Sequence, residues 1–412
     1  IFKLRSIRFS FALSMKTLAR RLDTISESQT IAMARKSREL KAAGIDVISL
    51  SLGEPDFATP DPIKEAAIHA INQDFSYYTH VSGYLELREA ICRKFKRDNL
   101  LDFKPHQIVV STGAKQSIAN AVLALVNPGD EVIIPAPYWV SYIEIIKLAE
   151  GVPKILHTTL ASDFKLSASA LEQAITPKTK LLLFSTPCNP TGTVYSREDL
   201  NALADVLIKH PQIHVISDEI YEHITFEGQH VSMAQIEALS ERVITINGVS
   251  KGFAMTGWRG GILAASAEIA EACDKIQGQI TSATCSITQK AMHAAMELDY
   301  NKHIKPMRDA FLKRRDLALT LLKSIPEIQF NCPQGAFYIY PQVDALFGKS
   351  KGNFTIQHAS DLCHYLLEHA HVAVVPGAAF GDDRYLRFSY ATSEDNLKKA
   401  LYRVRDAIAE LS

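Results

Sequence analysis

The chain has 412 residues, 47% of them apolar and 22% charged, with a formal net charge of zero. That length fits roughly two or three domains around a large core, while the balanced charge points to neither nucleic acid nor a membrane surface as a partner. No run reaches the roughly 18 apolar residues that a transmembrane helix needs, and Cys92, Cys188, Cys273, Cys285, Cys332 and Cys363 lack metal-ligand spacing, so they read as reduced thiols of a cytoplasmic protein, with no metal site.

Residues 1–14, IFKLRSIRFSFALS, are basic, apolar and free of acids. They lack a clear apolar h-region and a small-x-small cleavage site before Met15. They are therefore expected to be an extension outside the fold, with Met15 as the natural start. Residues 15–63 form an N-terminal segment. From about residue 105, short apolar runs alternate with amphipathic stretches. The runs at 107–111, 131–135, 180–185, 214–217 and 242–247 predict strands, and those at 115–126, 197–209 and 268–276 predict helices. Strands alternating with helices imply a mostly parallel sheet covered on both faces. Such a sheet presents ligands at the carboxyl ends of its strands.

The unusual residue clusters fall just after these strands. Ser111-Thr112-Gly113-Ala114-Lys115-Gln116 sits at a strand-to-helix junction, where free N–H groups and the helix dipole suit a phosphate. It lacks P-loop spacing and is weak alone. Pro137-Tyr138-Trp139 offers an indole to stack on a flat ring, or a core aromatic. Thr186-Pro187-Cys188-Asn189-Pro190-Thr191-Gly192 brackets an amide with two prolines, a turn stiffer than a turn requires. In Ser217-Asp218-Glu219-Ile220-Tyr221, Asp218 suits a protonated ring nitrogen and Tyr221 a ring hydroxyl; a helix N-cap explains Asp218 equally well. Ser250-Lys251-Gly252-Phe253-Ala254-Met255-Thr256-Gly257-Trp258-Arg259 places a lysine in a loop, with a guanidinium eight residues on that can grip a phosphate.

Beyond residue 300 the pattern changes. A basic amphipathic helix at 310–322 is followed by strand-like runs at 336–340, 372–375 and 385–389 and a terminal helix, Glu394–Ala409. This reads as a smaller α/β domain, 301–412, joined in space by 15–63, beside a larger cofactor-binding domain, 64–300. In the run Arg384-Tyr385-Leu386-Arg387-Phe388-Ser389, Arg387 lies between apolar neighbours, either paired or waiting for an anion such as a carboxylate. A lysine nucleophile, a ring-nitrogen carboxylate, an amide and a phenol, a phosphate cup, a stacking aromatic and a carboxylate-binding arginine make up the set that pyridoxal phosphate needs to act on an amino acid.

The motifs SLGEPDFATP (51–60), PCNPTG, SDEIYE, SKGFAMTGWR and RFSYA (387–391) together make the chain resemble fold-type-I, class I aminotransferases, most closely the bacterial subgroup Ib aspartate aminotransferases, from Met15 to the C-terminus. The resemblance implies the following roles. Lys251 is the Schiff-base lysine and acid–base, and Asp218 pairs with the pyridine nitrogen of pyridoxal 5'-phosphate. Asn189 and Tyr221 bind the ring oxygen and Trp139 stacks on the ring. Gly113, Ala114, the Lys115 backbone and Arg259 hold the phosphate, with Ser250 beside them. Arg387 and the Gly53 backbone take the substrate α-carboxylate, and the Lys115 side chain takes the distal one, with Ser28 or Thr30 of the N-terminal segment as the alternative. Tyr78 reaches the neighbouring subunit's phosphate, which implies a homodimer with shared active sites. Two positions depart from the pattern. Ser26 stands where prephenate-using members carry a base, and Gly248 stands where many relatives carry a phosphate-binding serine. The implied activity is ping-pong transamination between aspartate or glutamate and 2-oxoglutarate or oxaloacetate. The alternatives are an aromatic or prephenate aminotransferase, or another pyridoxal-phosphate reaction on the same fold. A regulator that only senses the cofactor would need a DNA-binding segment, and no basic patch suggests one.

Overall fold

The computed structural model describes residues 18–26 and 29–412; residues 1–14 lie outside the described part. Helix α1 (Gln29–Ala42) leads to a short strand, β1 (Ile48–Ser49), then α2 (Asp61–Asn72) and α3 (Leu85–Asn99). The central run is β2 (Ile108–Ser111), α4 (Ala114–Leu125), β3 (Glu131–Ala136), α5 (Ser141–Leu148), β4 (Val152–His157), α6 (Ala168–Ala174), β5 (Thr179–Ser185), α7 (Arg197–Leu207), β6 (His214–Asp218), β7 (Val243–Gly248) and β8 (Gly261–Ala264). Helices α8 (Ala267–Ile280) and α9 (Ser286–Met296) follow, then α10 (Tyr300–His303) and α11 (Lys305–Leu322). The chain ends with β9 (Tyr338–Ile339), the hairpin β10 (Ser350–Lys351) and β11 (Phe354–Thr355), α12 (Ala359–His369), β12 (Val372–Ala373), β13 (Val375–Pro376), β14 (Leu386–Ser389) and α13 (Glu394–Ala409).

Seven strands form one sheet in the order β2-β8-β7-β6-β5-β3-β4. Only β8 is antiparallel to its neighbours, β7 and β2. The mostly parallel α/β sheet expected from the sequence is therefore present, with two strands that the sequence pattern did not single out. Strand β4 lies at the edge with a half-exposed burial pattern and a proline, Pro153, as edge strands tolerate. Strand β8 has four residues and opens on a glycine.

Alternation along the strands divides the core. Ile133, Leu182, Val215 and Val243 face one side with residues of α3, α7 and α9. Val132, Leu181, Ile216 and Ile244 face the other with residues of α4, α5 and α8. This is the period-2 arrangement of a sheet buried on both faces. Helix α7 shows how the flanking helices are specified. Ser196 and Asp199 make a reciprocal capping box at its start, and Leu200, Leu203, Ala204 and Leu207 line the buried stripe.

The C-terminal elements pack separately. β13, β14 and β9 form an antiparallel sheet, and β1 pairs in parallel with β12. Met33, Val47, Ile48 and Leu50 from the N-terminal segment join a core with residues of α11, α12 and α13. The helix expected at 310–322 starts five residues earlier, because Pro306 occupies its first turn, where a missing N–H is harmless. The run expected as one strand at 372–375 divides between two sheets, as β12 and β13. None of the helices among the described residues is long and apolar enough to cross a membrane, and the six cysteines are unpaired.

Candidate active site

The loops leaving the carboxyl ends of β2, β3, β5, β6 and β7 converge on a cavity of 310 Å³, closed from the C-terminal side by Tyr338 and Arg387. Asp218 ends β6 with its carboxylate buried. It does not cap a helix, since none follows β6 directly; Oδ1 instead accepts the Ile220 N–H at 3.3 Å within the turn. Its Oδ2 accepts the Tyr142 hydroxyl at 2.7 Å. Burial pushes the Asp218 carboxyl up to about 6, although the Tyr142 and Ile220 hydrogen bonds and the Lys251 charge pull the other way.

Lys251 follows β7, and its Nζ donates to the Gly53 carbonyl at 2.6 Å. Burial lowers its pKa to about 8, with Arg387 and Arg259 acting in the same direction against Glu54. The lysine is thus close to losing its proton at neutral pH, as a nucleophilic amine must.

Arg387 on β14 is 2% exposed. It donates to Asn189 Oδ1 at 2.9 Å and to the Ser51 carbonyl at 2.7 Å. Its guanidinium lies over the rings of Tyr338 and Phe380. Its Nε has no partner, and no carboxylate among the described residues pairs with it. A buried guanidinium with an unused donor suits an anion by its chemistry. Tyr221 and Tyr338 share a hydrogen bond between hydroxyls at 2.8 Å, and a Cβ on Gly53 would sit 2.5 Å from the Tyr338 hydroxyl. Gly53 is therefore fixed by the close approach of that ring.

Helix α4 begins at the rim. Its N-cap, Gly113, has φ 85° and no capping side chain, which leaves first-turn N–H groups for a ligand. A Cβ on Gly113 would fall within the Arg259 guanidinium. Arg259 itself adopts φ 58° and is held by the Thr256 carbonyl at 3.0 Å and the Thr112 carbonyl at 3.5 Å. Ala114, Ser250 and Arg259 line this end of the cavity. Gly248, in contrast, pairs with Gly261 on β8, and a Cβ there would lie 2.7 Å from the Gly260 carbonyl. A serine does not fit that position in this backbone, which is the physical reason for the departure at 248.

Lys115 is exposed at the mouth, with its Nζ 5.0 Å from the centre of the Trp139 ring. Partial burial of its ammonium end, then the Arg259 charge, lowers its pKa. It has no carboxylate partner among the described residues.

Of the residues singled out in the sequence, Gly53, Ala114, Lys115, Trp139, Asn189, Asp218, Tyr221, Ser250, Lys251, Arg259 and Arg387 line this one cavity. Gly113 stands behind them against Arg259. Tyr78 does not line it; it is 98% exposed beside Tyr77, which is also largely exposed. Ser26 is exposed, and its N–H is taken by Glu144 at 2.9 Å. Ser28, another polar residue of that segment, lies outside the described residues. Sequence reasoning missed Tyr142, Tyr338 and Ser185, which also line the cavity, while Thr30, the other candidate beside Ser28 for the distal carboxylate, lines it as well. Tyr142 lies three residues after Trp139 on the next helical turn, and that spacing was the available signal. Tyr338 comes from a distant segment and carries no local signal.

Behind the turn after β6 lies a second buried polar group. Glu219, Glu222 and His230 bring donor atoms within 4.8 Å of one another. Ser217, Ser232 and His230 hydrogen-bond Glu219, and the Lys94 ammonium and Asn99 amide occupy Glu222. This is a compensated ion cluster that fixes the turn carrying Asp218 and Tyr221.

The comparisons with known proteins agree with this geometry. The chain is 49% identical over 400 residues to a probable aspartate/prephenate aminotransferase of Rickettsia bellii, which covers 96% of this chain and all of that protein. It is 45% identical over 399 residues to a bifunctional aspartate aminotransferase and glutamate/aspartate-prephenate aminotransferase of Petunia hybrida, covering 96% and 83% of the two chains. Among solved structures, the aspartate aminotransferase of Rhizobium meliloti superposes with a TM-score of 0.93 at 42% identity, over 96% of this chain and 99% of that one. The aspartate aminotransferase of Thermus thermophilus with maleate gives 0.90 at 38% identity, over 95% and 100%. Residues 45–404 match the family described as aminotransferase class I and II, and the chain belongs to that family.

Proposed function

We propose that the chain is an aspartate-type aminotransferase that uses pyridoxal 5'-phosphate to move an amino group between L-aspartate or glutamate and 2-oxoglutarate or oxaloacetate. The observation that carries this reading is a cavity that Lys251 shares with Arg387, deep inside, and Lys115, at the mouth, neither of which has a carboxylate partner among the described residues, besides the Arg259 suited to a phosphate. Two such cations in one cavity with an amine suit a dicarboxylic amino acid. A structural neighbour from Thermus thermophilus is described with maleate, itself a dicarboxylate.

The donor set fits the cofactor. The first turn of α4, Arg259 and Ser250 suit its phosphate, Asp218 its ring nitrogen, Asn189 and Tyr221 its ring oxygen, and Trp139 its ring face. When bound, pyridoxal phosphate supplies a sink for the electrons released at the substrate Cα. The remaining work belongs to this chain's side chains. Arg387 grips the α-carboxylate with its free edge and aligns the Cα–H bond. Lys115 meets the distal carboxylate. Lys251 Nζ, as a free neutral amine, would accept the Cα proton, which its lowered pKa permits. Asp218 holds a proton on the ring nitrogen as a hydrogen-bond acceptor in an apolar wall. The exposed Tyr77–Tyr78 pair, with Ile68 and Ile71 on α2 57% and 56% exposed, supports a homodimer in which Tyr78 completes the partner's site.

Prephenate also carries two carboxylates, and several relatives bear its name. Ser26 carries no positive charge, and its N–H is already committed to Glu144, so aspartate is the favoured substrate. Purified protein assayed with a panel of donors and 2-oxoglutarate tests the reading. Aspartate and glutamate should far outpace alanine and phenylalanine; a preference for a neutral donor would overturn it.

A further inference from the structure

We infer that Tyr142 is a positioning residue for the proposed reaction, holding Asp218 aligned as a carboxylate toward the cofactor's ring nitrogen; this rests on the pyridoxal-phosphate reading above. Tyr142 is the second residue of α5, and only 1% of it is exposed. Its ring sits among the apolar side chains between the sheet and helices α4, α5 and α8. A phenylalanine would fill that place without bringing a hydroxyl into an apolar wall, which is unfavourable unless the group is hydrogen-bonded. The hydroxyl donates to Asp218 Oδ2 at 2.7 Å.

The same helical turn makes this contact and the cofactor wall. Tyr142 N–H donates to the Trp139 carbonyl at 3.0 Å, and the two rings pack edge to face at 5.4 Å. The loop after β3 therefore presents Trp139 to the cavity and Tyr142 to the carboxylate as one rigid unit. Other groups face Asp218 from the surrounding elements: Glu219 and Tyr221 along its own turn, Lys251 after β7, and Cys188 after β5. Glu219 opposes the negative charge and Lys251 favours it. Besides the Ile220 N–H, Tyr142 is the one neutral donor fixed on the carboxylate among the described residues, so it sets both the rotamer and the charge that a ring N–H meets. Without it, the buried carboxyl is driven toward its protonated form, which no longer pairs with a protonated ring nitrogen.

The test is Tyr142→Phe in the full chain, a change that removes one oxygen. In cofactor-free protein labelled with carboxyl-13C aspartate, the Asp218 resonance is identified by its absence in Asp218→Asn. Its titration midpoint should rise by about one to two pH units on losing a hydrogen bond to a charged group. In protein loaded with 15N-pyridoxal phosphate, the ring nitrogen signal should move toward the unprotonated position. The rate constant kcat should fall by about tenfold with KM nearly unchanged, and adding Tyr142→Phe to Asp218→Asn should cause no further loss, as expected for a residue acting through another. An unmoved Asp218 midpoint, or a loss that simply adds to that of Asp218→Asn, overturns the role of Tyr142 alone. A wild-type chain that takes up no pyridoxal phosphate overturns the functional reading and this role with it.

Discussion

Replacing Lys115 by alanine separates the recognition of dicarboxylic donors from everything else the site does. Its ammonium stands at the exposed rim, against Trp139 and without a carboxylate partner among the described residues. An ion pair in open water is worth about 0.2–1 kcal/mol, whereas a hydrogen bond to a charged group away from water is worth about 1.5–3 kcal/mol. Lys115 lies between these limits, because a substrate filling the cavity covers one side of it while the rim stays wet. A loss of about 1.4 kcal/mol, a tenfold drop in kcat/KM for aspartate and glutamate, is the expected outcome. Alanine and phenylalanine carry no distal charge and should be nearly unaffected. The assay is kcat/KM for each donor, which in a ping-pong scheme reports that half-reaction without the acceptor. Partial burial and Arg259 lower the Lys115 pKa, so the preference for dicarboxylic donors should fade at a lower pH than for an ordinary lysine. It should also weaken with salt. Equal loss across all donors would assign Lys115 to the phosphate or the fold, and no loss for any donor would place the distal carboxylate elsewhere.

Arg387→Ala should damage every donor alike, by about 10²–10³-fold in kcat/KM, since all carry the α-carboxylate that this buried charge would pair with; a donor-selective effect would contradict its role. In the cofactor-free chain, Asp218 binds its proton more tightly folded than unfolded, so wild-type stability should be greatest below pH 4 for this group and fall as pH rises through about 6. Asp218→Asn removes that slope and should be more stable near pH 7 by roughly 3 kcal/mol relative to the difference at pH 4; parallel stability curves by urea denaturation would contradict it. Mixing Lys251→Ala protein with Tyr78→Ala protein should restore part of the activity through heterodimers with one intact site, and a fully active monomer in sedimentation would rule out sharing.

Much of the site was legible because its parts follow parallel strands. Asn189, Asp218 and Lys251 each come one to four residues after an apolar run, so strand alternation alone predicted that they share an edge of the sheet. What the sequence hid are contacts made across distance. Tyr338 meets Tyr221 from 117 residues away and stands in no local pattern that marks it. Gly248 looked like a missing phosphate contact, and only the pairing of β7 with β8 shows that the backbone leaves no room for a side chain. Strand β4 escaped because an edge strand is half wet and need not be continuously apolar.

Lys251 is the one lysine proposed to carry the cofactor. Purified protein loaded with pyridoxal phosphate should be yellow, and borohydride should fix the cofactor so that a peptide map finds it on Lys251, whose Nζ lies against the Gly53 carbonyl in the cavity. Lys251→Ala should show no such label and no transamination. A label on any other lysine, or full activity in the alanine variant, would contradict the account.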